Sequence, residues 1–372
     1  MKEHRVKIIQ ILLIVLALYL LILTGGFFGV KYGWTNTSGV VDQENGYFQS
    51  INAKITQIKN MEGEKIAASG TANKIKNSNY CMIRVIGQFY PVNAEKIAEA
   101  YARTGSDTLA YKMIVAVALR LQNNTDFQNK FHRCETDYAG GTTSSNLQNE
   151  FRDASGQNAF PWIDRPEWQT IAAATLKDKS AIDKAAQVVG IEPRLIVASM
   201  IVEQLRLFNS EREVFKKFFE PLKILGNSNK ISLGIMGIKE ATAEAVRANL
   251  KDPASPYYLG DKYANVLDDL PGSIYDQLTS ENDNHYASYL YGALYLKQFI
   301  TQWKNAGHDI QYRPEILGTL FNVGFPQSKP NSTPRVGGSV IDVGSGQYSF
   351  GSLSYEFYYS GELVSDFPYL TN

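Results

Sequence analysis

Between Leu195 and Leu207 apolar side chains fall on every side of a helical wheel: Leu195 to Ala198, Met200 to Val202, Leu205 and Leu207. Pro193 suits the first turn of such a helix. A helix that is apolar all round is a buried one. This run is too short for the roughly 20 residues that cross a hydrocarbon layer, so it predicts the centre of a helical core. Hydrophobic residues make up 44% of the 372 and charged residues 20%, enough apolar matter to pack such a core.

Helical patterns extend on both sides. Asn93 to Arg103 repeats Ala and Ile at three- and four-residue spacing with Asn93 as its cap, and Asp107 caps an apolar helix through Leu121. Pro166 to Leu176 and Ser180 to Val189 read as two more helices, the second stopped by Gly190. Strand signals are sparse; the best are Val340 to Val343 and Tyr355 to Tyr359. The expected fold class is mainly α. Residues 78–138 form a small helical subdomain. Residues 139–165, rich in Gly, Ser, Thr and Asn, form a linker or loop. Residues 166–372 form the main domain with a Tyr-rich C-terminal extension.

The N-terminus carries a separate signal. Ile8 to Val30 is an uncharged, largely aliphatic stretch preceded by Lys2, Arg5 and Lys7. Its length matches a membrane-spanning helix, and the preceding cations keep the N-terminus cytoplasmic. The expectation is a transmembrane anchor over 1–31 and a tether over 32–77, with a short helix from Tyr47 to Lys59. The protein would then be a single-pass cell-membrane protein, held through residues 8–30, with its C-terminal domain extracytoplasmic. A cleaved signal peptide is the competing reading. Export would permit a disulfide between Cys81 and Cys134, which otherwise read as two small hydrophobes. His4, His132, His285 and His308 are scattered, so no metal site and no cofactor is expected. Lys plus Arg equals Asp plus Glu at 37 each, which argues against a nucleic-acid partner. The 22 Tyr and 18 Phe suit a carbohydrate groove as well as an ordinary core.

One carboxylate interrupts the apolar helix, Glu203. A carboxylate in such a place is costly unless paired or protonated, and a protonated one kept from water suits a general acid. The bland alternative is a narrow polar edge formed by Glu203 and Gln204. Two further elements follow in order. Ser232-Leu233-Gly234-Ile235-Met236-Gly237-Ile238 leads into a helical run from Lys239 to Asn249 containing Thr242-Ala243, and Phe321-Asn322-Val323-Gly324 follows a helix ending near Leu320. This ordered set resembles the soluble lytic transglycosylase group of the lysozyme-like superfamily over residues 180–330. That family has a catalytic Glu in an apolar helix, then a Ser-x-Gly-Leu-Met-Gln-Ile loop, then Tyr-Asn-x-Gly. Three departures stand out: Gly237 for Gln, Gln204 where Ser usually follows the Glu, and Phe321 for Tyr.

The resemblance implies a lysozyme-like helical domain with a groove for peptidoglycan glycan strands. Glu203 would act as acid and then base, closing a 1,6-anhydro ring without external water. Ser232, Gly234, Ile235, Met236, Phe321 and Asn322 would contact substrate, with Asn322 bonding near Glu203. A second carboxylate facing Glu203 would instead make the protein a hydrolytic muramidase; Glu211, Glu213, Glu220 and Glu240 follow it nearby in sequence. A non-catalytic glycan binder is a third reading. A scaffold recruiting a partner in an envelope or secretion complex through residues 78–138 is a fourth.

Overall fold

The computed structural model describes residues 77–136, 144–208, 232–280, 285–343 and 346–370, with scattered helical positions between 10 and 25. The expected anchor, the tether and the helix at Tyr47 to Lys59 fall outside these stretches. Among the described residues no helix is long and apolar enough to cross a membrane. The described chain is mainly helical, with two short hairpins.

The first five helices are α1 (Asn77–Phe89), α2 (Pro91–Thr104), α3 (Asp107–Arg120), α4 (Thr125–Thr136) and α5 (Ser144–Glu150). The cap of α3 is Ser106, whose hydroxyl accepts from Leu109 N at 3.1 Å, one residue before the Asp107 expected from sequence. Helix α2 starts at Pro91, as befits a first turn. Asn93 lies inside it, buried, its Oδ1 accepting from Ala159 N. Helices α1 and α4 are joined by a disulfide, Cys81–Cys134, with Cα atoms 5.5 Å apart.

The remaining elements are α6 (Pro166–Lys177), α7 (Lys179–Val189), α8 (Pro193–Phe208), a hairpin of β1 (Ser232–Leu233) and β2 (Ile238–Lys239), α9 (Glu240–Lys251), α10 (Ile274–Thr279), α11 (Tyr286–Asn305), α12 (Pro314–Val323), a hairpin of β3 (Val340–Val343) and β4 (Gly346–Ser349), and α13 (Phe350–Tyr359). The all-round apolar helix is α8. It is enclosed by α6, α7, α11, α12, α13 and β3, and every apolar residue named above between Leu195 and Leu207 is buried. Each such Leu, Ile, Val or Met side chain, fully buried, contributes about 1.5–3 kcal/mol.

Two expectations need correction. Tyr355 to Tyr359 is helical, the last half of α13. Its aromatic residues suit a strand, but a capping box between Ser349 and Ser352 starts a helix, and all ten of its residues are buried among α3, α8, α12 and β4. The stretch 139–165 is more than a connector. It carries α5 and then sinks Phe160 and Trp162 into the core. Its Gly- and Ser-rich first half masked these anchors.

Helix α13 ties the molecule together. Arg194, fully buried at the start of α8, donates to the carbonyls of Phe357, Tyr358, Glu362 and Phe367 at 2.8–3.1 Å. It thereby meets the negative C-terminal end of α13 with a cation. Glu356, also fully buried, pairs with Arg120 of α3 at 2.5 Å and accepts from Trp162 Nε1 at 3.2 Å. Glu356 thus ties the first helices to the main core, as does the Lys96–Glu362 pair at 2.7 Å.

Candidate functional site

Glu203 lies in the last two turns of α8 with 2% of its surface exposed. Arg206, one turn on, forks onto it. Its Nε meets Oε2 at 3.0 Å and its Nη2 meets Oε1. The spacing of three residues on a helix places the two side chains on one face, and a bidentate guanidinium matches the charge that burial would otherwise make costly.

The β1–β2 hairpin closes over this pair. Ser232 faces Lys239 and Leu233 faces Ile238 across an antiparallel ladder. Gly234 and Gly237 turn the chain with φ of 63° and 62°, a region that favours glycine. A Cβ at Gly237 would lie 2.1 Å from Glu203 Oε1 and 2.4 Å from its Cγ. The carboxyl of Glu203 therefore occupies the space a side chain at 237 would need. Gln204 completes the contact, its Nε2 donating to the Ile235 carbonyl at 2.7 Å. Two departures from the transglycosylase pattern, Gly237 and Gln204, thus belong to one interface. The side chain that bridges helix and loop is on the helix, and the loop opposite has none.

The other loop residues have packing duties. A Cβ at Gly234 would strike the Leu278 carbonyl at 1.8 Å. Met236 is fully buried, its thioether against Gly292 of α11. Ile235 is half-buried, its carbonyl held by Gln204.

Phe321 and Asn322 sit at the end of α12. The Phe321 ring lies 5.3 Å from that of Tyr295 and 6.2 Å from Phe350. Tyr295 is a tyrosine that the sequence reading missed, because it comes from α11 and its nearness to Phe321 is purely tertiary. Burial pushes its hydroxyl above the ordinary range. Asn322 Oδ1 accepts from Ser339 N at 2.7 Å and from Ser339 Oγ at 3.0 Å. Tyr257 donates to the Phe325 carbonyl at 3.1 Å and packs its ring 4.4 Å from Phe325.

Family models, curated proteins and solved structures offer no match to this chain. The site must therefore be read from its own geometry.

Glu203 meets Gly237, and Ile235 is joined to the same helix through Gln204. Phe321 and Asn322 belong to a neighbouring group, on helix α12, which packs against α8. Among the described residues no hydrogen bond joins Asn322 to Glu203; its carbonyl oxygen is committed to Ser339. Glu240 opens α9, while Glu211, Glu213 and Glu220 lie outside the described stretches. Among the described residues no group of His, Cys, Asp and Glu could hold a metal ion. Arg206 went unremarked in the sequence, although its spacing of three from Glu203 was the available signal.

Proposed function

We propose that this chain is a peptidoglycan lytic transglycosylase with a lysozyme-like catalytic domain, and that Glu203 serves first as acid and then as base. The observation that carries the reading is a carboxylate buried in an apolar helix, held by Arg206 and covered by a glycine turn. Glycosidic cleavage requires a proton donor at the leaving oxygen, and a carboxyl screened from water is placed to hand a proton to that oxygen directly.

In this reaction Glu203 gives its proton to the glycosidic oxygen between N-acetylmuramic acid and N-acetylglucosamine. The C1–O bond breaks and positive charge develops on the muramyl ring. The ring's own C6 oxygen then bonds to C1, and its proton passes to the Glu203 carboxylate. The strand is split, a 1,6-anhydro end forms, and Glu203 is protonated again. Ile235 and Gly237, which share the interface with Glu203, would border the scissile bond. Ser232, Gly234, Met236, Phe321 and Asn322 would act further out. Residues 8–30 would hold the enzyme to the membrane with the domain outside; the Cys81–Cys134 disulfide suits an oxidising compartment.

The Arg206 fork favours a second reading, a glycan-binding or scaffold protein of an envelope complex, because it compensates the carboxylate as a structural ion pair. Digestion of purified peptidoglycan by the full-length protein in detergent, beside Glu203→Gln, separates the two. Anhydro-muropeptides from the parent, reduced about 10²–10⁴-fold in the variant, are expected for the enzyme. Reducing ends in their place would make it a muramidase. Bound glycan with no release from either protein would leave the binding role.

A further inference from the structure

We infer that Arg206 is an autoinhibitory latch, and that the structure holds Glu203 in a withheld state. This rests on the reading of Glu203 as the general acid. A general acid needs a proton on an oxygen that can come within about 2.6–3.2 Å of the leaving oxygen. As it stands, Glu203 offers neither oxygen to a substrate: both are taken by the Arg206 fork. The same carboxyl fills the space a side chain at Gly237 would take, and 2% of Glu203 is exposed.

The geometry also makes the latch releasable. The pair is local, between residues three apart in the last turns of one helix. It therefore joins no two elements of the core, and opening it breaks no contact between helices. Arg206 freed from Glu203 remains at the C-terminal end of α8, where a cation is favourable. Removing the fork therefore releases the acid without dismantling the site.

The test compares anhydro-product release by the full-length protein in detergent with Arg206→Gln, Arg206→Lys and the double variant Arg206→Gln/Glu203→Gln. Glutamine removes the charge; lysine keeps it but cannot bridge both oxygens. The expected result is a kcat roughly tenfold higher in Arg206→Gln, from the loss of charge-assisted bonds to the ground-state carboxylate. Arg206→Lys should fall between, KM should stay unchanged, and the double variant should be inactive. Should Arg206→Gln fold poorly, the lysine variant carries the same comparison. Release by the parent that is equalled or exceeded by neither single variant would overturn the latch and leave the transglycosylase reading standing. No release from any of the four proteins would remove the acid role, and the latch with it.

Discussion

Glu203 and Glu356 are both buried and both matched by an arginine, yet they are built in opposite ways. Glu203 takes its partner from its own helix, and its other close neighbour is a glycine turn. Glu356 takes Arg120 from a distant helix and Trp162 from the stretch between the two helical groups. The local pair lies within α8. The distant pair ties α3 to α13. Reversible chemistry therefore fits the first, and cohesion of the fold fits the second. A third carboxylate, Glu192, has a cation nearby, but Arg194 directs its donors to backbone carbonyls, so Glu192 accepts instead from the Tyr358 hydroxyl at 2.7 Å and from Leu370 N at 3.4 Å.

The contrast is broken most directly at Glu356. Glu356→Ala leaves Arg120 without its buried partner and should cost about 3–5 kcal/mol in urea unfolding. Glu203→Gln should cost clearly less while removing activity. Equal losses would erase the distinction between the two pairs. Reduction of Cys81–Cys134 comes next, with an expected loss of about 2–4 kcal/mol for the helices it joins. If Glu356 couples the two groups of helices, that loss should appear as one shifted thermal transition; two separate transitions would mean weak coupling. Gly237→Ala should cost about 1–2 kcal/mol for the left-handed backbone alone, and should also displace the Glu203 carboxyl. A variant with parental stability and parental glycan cleavage would show that the turn does not press on the acid.

The smallest effect concerns pH. Burial raises the Glu192 carboxyl above its ordinary 4.5, outweighing the lowering by Tyr358 and Arg194. The folded protein then favours the protonated form more than the unfolded chain does. Its contribution to stability is complete below pH 4.5 and is lost as pH rises through the higher folded value. Denaturation across this window should show a falling slope that Glu192→Gln flattens. Identical slopes in both proteins would count against the assignment.

Much of the helical framework was legible beforehand. Gly190 ends α7 in the left-handed conformation, Pro193 opens α8, and α9 and α12 lie within a few residues of their expected bounds. The site was legible in part: Glu203 and the loop at 234–237 do meet. Asn322 turned instead to Ser339, a partner that no spacing rule could supply.

What the sequence determined by itself is what short-range physics controls. Apolar periodicity marked α8 as buried, and proline and glycine marked its neighbours' ends, because those preferences act within a turn or two of helix. The tertiary structure decided the rest. It made α13 a helix where aromatic residues suggested a strand, since burial on all sides outweighs a propensity of at most about 1 kcal/mol. It set Glu203 against Gly237 and Glu356 against Arg120, because contacts between distant segments depend on how whole elements pack, and no local pattern encodes that.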